Sequence, residues 1–282
     1  MFFSSSECIT WFAVFLTMSV AIVTVNLISI ILFIKNRSLR TRAMYLVINL
    51  TIVDMFVGGF SYFYVFQLLY EVSVRLSEIG ILLVFWFSLS SLTNITVISL
   101  DRVHATIRPF RHHLIKNWVY GVTIAGVWVF AAMVSAALST LTGQNITLTL
   151  SYYFLCLFVI CVSYSSIAVK FLCGAHPQHH GAANRQRKLI VTLFIMTIVS
   201  LVIWLPLAVY YCLILQPSSI LKSLPYDESE RLRLSLIILC FMNSLVNPIV
   251  YTIRIPEFRK ALLLLFKRQR KQNARDIPLH VL

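Results

Sequence analysis

The chain has 282 residues, 59% of them hydrophobic and only 12% charged, with a mean hydropathy of +0.84; a soluble domain carries about 25% charged residues, so a water-soluble globule is excluded. Its 24 Lys and Arg outnumber its 10 Asp and Glu, for a net charge of +14. The basic residues sit in short clusters between long apolar runs, which argues against a nucleic-acid partner.

A bilayer crossing takes about 20 apolar residues, and the charge-poor runs supply them in order. Residues 1–10 form a short leading segment. Residues 11–34 give the first span, which lacks a basic leader, exceeds the length of a signal core and is followed by Lys35; it is expected to stay as an anchor rather than be cleaved. The second span covers 44–70 with Asp54 as its internal charge, and the third covers 79–103. The charge-free stretch from 117 to 169 would be about 80 Å long as one helix, against a hydrocarbon core of about 30 Å. It must turn back, and Thr142-Gly143-Gln144-Asn145 is its turn signal, giving spans near 118–139 and 147–171. The sixth and seventh spans fall near 188–214 and 233–253. Residues 255–267 read as a short amphipathic helix with Phe258, Leu262, Leu265 and Phe266 on one side, and 268–282 as a basic cytoplasmic tail resting on anionic membrane lipid. The expected fold is all-α, a seven-transmembrane helix bundle over residues 11–254.

Twenty Lys and Arg fall on one side of these spans and four on the other. Basic residues near spans are retained in the cytoplasm, so the amino terminus is outside and the carboxyl terminus inside. The loops are short, and function must reside in the bundle or on its two faces. A secondary transporter stays as the alternative, disfavoured because no internal duplication is apparent and Asp54 is the only acidic residue well inside a span. An intramembrane enzyme is weaker still, since all seven histidines fall in inner loops or the tail. The six cysteines lie mostly within apolar runs, without CxxC or Cys/His spacing, and indicate neither a zinc site nor a disulfide scaffold. No cofactor is expected.

A carboxylate in mid-span costs about 2.5 to 3.5 kcal/mol even on a lenient scale, so Asp54 needs partners. Ser91 lies at comparable depth in the third span, and Asn243 and Asn247 lie one helical turn apart in the seventh, with Ser244 between them. These oxygens suit a partly hydrated Na⁺ at Asp54. A protonated Asp54 within a purely structural polar network suits them equally. Pro206 and Pro248 each remove a backbone hydrogen bond inside a span and create a hinge whose freed carbonyl needs another donor.

In these residues the chain resembles the rhodopsin-like (class A) G protein-coupled receptors, from about Asn26 to Phe266. The resemblance rests on NPIVY (Asn247 to Tyr251), Asp101-Arg102-Val103 followed by Pro109-Phe110, NLTIVD (Asn49 to Asp54), Asn26, Trp128, IWLP (Ile203 to Pro206) and Phe258-Arg259. It implies a plasma-membrane receptor that transmits binding of an extracellular or membrane-borne ligand to a heterotrimeric G protein. It assigns Asp54, Ser91, Asn243 and Asn247 to a sodium pocket, Trp204 to a toggle beneath the ligand, and Tyr164 and Tyr251 to tyrosines that meet through water on activation. Asp101 and Arg102 become the G protein-coupling pair, Phe110 the loop residue that docks into the G protein, and Pro206 and Pro248 the activation hinges.

Departures from the family pattern are also visible. Ser77 stands where the extracellular disulfide would begin, the second outer loop is almost absent, and Cys156 replaces a helix proline. This combination resembles the branch of melanocortin, cannabinoid, lysophospholipid and adenosine receptors, the melanocortin type above all. Val84 and Phe241 stand where amine and retinal receptors carry their charged residues, so neither ligand class is expected. The residual pocket, Phe85, Ser88, Tyr152, Trp204, Ala208, Tyr211 and Phe241, is apolar and aromatic with a few hydroxyls and suits a neutral or amphipathic small molecule, lipid or peptide. Gln186 replaces the acidic residue that usually restrains the inner arginine, so measurable basal signalling is expected. Asn145-Ile146-Thr147 is the sequon placed for N-glycosylation. The tail after Thr252 and the loop from Lys170 to Lys188 contain no Ser, Thr or Tyr, from which weak control by receptor kinases is expected.

Overall fold

The computed structural model describes residues 4–61, 63, 74–140, 145–173, 182–216, 221 and 223–275. Helix α1 (Ser5–Lys35) starts where Ser4 caps the Glu7 amide and Glu7 reaches back to the Ser4 amide. Two single 3₁₀ turns (Arg37–Leu39 and Arg42–Met44) lead into α2 (Tyr45–Ser61). Then follow α3 (Val74–Ile107), the short α4 (Pro109–His113), α5 (Asn117–Thr140), α6 (Asn145–Cys173), α7 (Ala182–Leu215), α8 (Tyr226–Arg254) and α9 (Pro256–Arg275). Among the described residues six helices are long and apolar enough to cross a membrane, and α2 is a shorter apolar helix. Residues 62 and 64–70 of the expected second span lie outside the described residues, as do residues 142–144 of the turn signal, the side chains of Ser77, Asn145 and Gln186, and the tail beyond Arg275.

Several helices overrun the apolar runs that mark them. Helix α3 begins at Val74 rather than 79, α8 at Tyr226 rather than 233, and α9 extends to Arg275 rather than 267. Apolarity marks only what sits in hydrocarbon. Helical hydrogen bonding continues into water, helped at the start of α8 by Asp227–Arg231 at 3.4 Å and Glu230–Arg233 at 2.5 Å.

Helix α3 is the central post. Its apolar window is 61% buried, against 33% for α1 and 17% for α7, and along it Val84, Phe87, Ser90, Ser91, Leu92, Asn94, Ile95 and Ile98 are all buried. The outer helices expose Val122, Phe130, Phe158 and Val202, side chains that suit lipid contact and would form a sticky surface in water. One core cluster, around Leu50, Ile160, Tyr164, Tyr251 and Phe258, fills the inner half, and another, around Phe15, Ile22, Phe87 and Phe241, fills the outer half.

Asparagines stitch the helices together. Pro248 has no amide proton to give to the Ser244 carbonyl one turn earlier, and Asn26 Nδ2 of α1 supplies that missing donor at 3.0 Å. Asn94 Nδ2 of α3 donates to the Leu46 carbonyl at 3.2 Å, and Trp128 Nε1 of α5 donates to Asn49 Oδ1 at 2.9 Å. Together these bonds set the depth and rotation of α1, α2, α3, α5 and α8 around Asp54.

Candidate functional site

Asp54 is fully buried at the crossing of α2, α3 and α8. Its Oδ1 accepts from Ser91 Oγ and from Ser244 Oγ, each at 2.9 Å, and its Oδ2 accepts from Asn247 Nδ2 at 2.6 Å. Asp54, Ser91 and Asn247 therefore meet as the sequence suggested. Asn243 makes no hydrogen bond to Asp54, and Ser244, a single turn before Asn247, makes it instead. The i−3 spacing from Asn247 was the available signal for Ser244. Asn243 Oδ1 and Asn247 Oδ1 are buried without a hydrogen-bond partner. Asn247 Oδ1, on the same amide that donates to Asp54, is a spare acceptor whose chemistry fits a small hard cation such as Na⁺.

The inner end of α3 holds a second polar group. Arg102 is 2% exposed and ion-pairs with Asp101. Asp101 Oδ1 also lies 2.9 Å from His112 Nε2 and 3.2 Å from the Tyr120 hydroxyl, while Tyr120 and His112 are 3.2 Å apart. Helix α4, opened by Pro109 at its first turn, brings His112 to this cage. Arg42 Nη1 fastens the same loop by donating to the carbonyls of His113 at 2.8 Å and Ile115 at 3.0 Å. Sequence reading missed His112 and Tyr120, because no helical spacing links them to Asp101. Phe110, next to this cage, is 88% exposed.

Between the two polar groups lie the other residues singled out in the sequence. Tyr164 is bonded to Thr197 Oγ1 of α7 at 3.2 Å, while Tyr251 is fully buried with its ring against Phe33 and Phe258. Pro206 and Pro248 lie inside α7 and α8 without ending them.

Toward the outer half a cavity opens between α3, α6, α7 and α8. Phe85, Ser88, Tyr152, Trp204, Ala208, Tyr211 and Phe241 all line it, together with Tyr153 and Cys240. Among the described residues, no charged side chain contributes to its wall. Tyr152 is bonded to Thr93 of α3, and Tyr153 stacks on Trp204 with ring centroids 6.4 Å apart.

A seven-helix bundle with an aromatic cavity in one half, a buried carboxylate at its middle and an Arg–Asp cage at its inner end is the architecture of a membrane receptor. The chain belongs to the rhodopsin family of seven-transmembrane receptors, which it matches over residues 25–147 and 139–251. It is 25% identical to the Substance-K receptor of Mesocricetus auratus over 296 residues, covering 91% of this chain and 75% of that one. The Homo sapiens Substance-K receptor is 24% identical over 293 residues, covering 91% and 72%. The Tachykinin-like peptides receptor 99D of Drosophila melanogaster is 20% identical over 300 residues, covering 92% and 57%. These relatives correct the expected melanocortin-type branch: absent cysteines and a lost proline are features that unrelated lineages can share by loss, whereas this similarity runs along the whole bundle. The protein is a G protein-coupled receptor and a multi-pass protein of the plasma membrane, in a family of receptors rather than enzymes.

Proposed function

We propose that the ligand is a peptide that inserts an uncharged, largely apolar end into the aromatic cavity, and that its binding is passed to the G protein through Trp204 and α7. The observation that carries this reading is the cavity wall, which among the described residues is aromatic and aliphatic with a few hydroxyls and no charged side chain. Burying an unpaired charge there would cost far more than contact could return. The names of the relatives, Substance-K receptor and Tachykinin-like peptides receptor, support a peptide over a lipid. On the inner face, the exposed Phe110 and the groove opened when α7 swings outward would receive an amphipathic helix of the G protein, with Arg102 released from Asp101 to meet it.

The test is GTP exchange on a G protein in membranes carrying the receptor, challenged with synthetic peptides that differ only in whether the terminal group is neutral or carboxylate. The neutral-ended peptides should be at least about tenfold more potent. Preference for the charged ends would overturn the assignment.

We also propose that Asp54, with Ser91, Ser244 and the free amide oxygens of Asn243 and Asn247, holds Na⁺ in the inactive state. Support comes from the acceptor-rich surroundings of the carboxylate.

A further inference from the structure

Helix α4 carries the exposed Phe110 but has little of its own to hold it in place. It is five residues long, and none of them is buried. So short a helix is not stable by propensity, and without a buried side chain it gains little from the apolar core. Its position must come from polar ties to its neighbours. His112 makes one, to Asp101 of α3. The other comes from the first inner loop. Arg42 Nη1, one nitrogen with two N–H groups, donates to the carbonyls of His113 and Ile115 at 2.8 and 3.0 Å. These two carbonyls flank Leu114, the residue that caps α4, where a basic side chain can satisfy carbonyls that the helix leaves open. Arg42 itself stands on firm ground, since it opens the 3₁₀ turn Arg42–Met44 that runs into α2, and Met44 is buried in the inner core cluster.

We propose that Arg42 is a positioning residue for G protein engagement: by holding the His113 and Ile115 carbonyls it braces α4 against the start of α2 and so presents Phe110 already ordered to the partner. The inference rests on the reading that Phe110 docks into the G protein. Ordering a loop and its side chain at the moment of docking reduces affinity, whereas a loop ordered in advance avoids that cost. The brace spans two inner loops, so it ties the docking residue to the frame of the bundle rather than to its own loop. Arg42 acts through Phe110 and needs no contact of its own with the partner.

The test uses the full chain in lipid nanodiscs as parent, Arg42→Met, Arg42→Lys, Phe110→Ala and the double variant Arg42→Met with Phe110→Ala. Methionine keeps much of the apolar stem and removes the donors, whereas lysine keeps donors and charge. Amide hydrogen exchange over residues 110–115 should be roughly fivefold faster in Arg42→Met than in the parent, and close to the parent in Arg42→Lys. Affinity for nucleotide-free heterotrimeric G proteins, drawn from each α-subunit class, should fall roughly fivefold in Arg42→Met and be largely restored in Arg42→Lys. In the Phe110→Ala background Arg42→Met should make no further difference, because the brace acts through that ring. Unchanged exchange over α4, unchanged affinity in Arg42→Met, or a loss that persists in full without Phe110 overturns the brace while the docking reading stands. If Phe110→Ala binds as tightly as the parent, or if no G protein binds the parent, the docking reading falls and the brace with it.

Discussion

His112 Nε2 lies 2.9 Å from Asp101 Oδ1, so the carboxylate that neutralises Arg102 is shared with an imidazole from the adjoining loop helix. The imidazole is held below its usual pKa range, first by burial and then by the cations Arg102 and Arg42. The unfolded chain therefore binds a proton at His112 more readily than the folded one.

Such a group gives its full stability above about pH 6.5, and that stability is lost as pH falls below this value. Melting temperature should decline on acidification from pH 7.5 to 5.5. The decline should be shallower in His112→Gln, which keeps a donor near Asp101 but does not titrate. Superimposable pH profiles for parent and variant would remove His112 from this role.

Asp54→Asn keeps the volume of the side chain and removes the charge that would hold a cation. Exchange of K⁺ for Na⁺ at constant ionic strength should raise the melting temperature of the parent by mass action. The variant should show no such rise. Equal sensitivity in both chains refutes a sodium site at Asp54.

Tyr164 and Thr197 tie the inner halves of α6 and α7 by a 3.2 Å hydroxyl bond. An outward swing of α7 must break it. Thr197→Val keeps the shape of the residue and deletes the bond, so ligand-free GTP exchange should rise roughly two- to tenfold, the range of a single net hydrogen bond. Unchanged basal exchange at matched expression would show that this pair does not restrain α7.

Helices α1 and α2 lie close at Gly58, where an added Cβ would lie 2.6 Å from Ile22 Cγ2 and 3.2 Å from the Val23 amide nitrogen. Gly58→Ala must push the helices apart, at a cost of about 1 to 3 kcal/mol. At Gly59 nothing lies within 4 Å of the same atom. Gly59→Ala should therefore be tolerated. Thermal denaturation of the two variants side by side checks the contrast, and equal stability would refute the close packing.

The sequence alone determined which runs are apolar enough to cross a membrane and which side is expected to face the cytoplasm, because hydrocarbon excludes charge and the clusters of Lys and Arg divide the apolar runs. It also determined that Asp54 needs partners and that Pro248 frees a carbonyl, since both follow from local chemistry. Only the tertiary structure decided who answers those needs. Asn243 and Ser244 are neighbours on the same helix, and choosing between them depends on how α8 is rotated against α2, which the Asn26 bond to the Ser244 carbonyl helps to set. His112 reaches Asp101 through the path of α4, and Tyr120 does so through the start of α5. The two tyrosines of the cavity differ because Thr93 on α3 bonds Tyr152, whereas among the described residues the Tyr153 hydroxyl has no hydrogen-bond partner. Apolar partition acts on each segment by itself and is legible one segment at a time, whereas hydrogen bonds depend on distances between segments and exist only once the helices have packed.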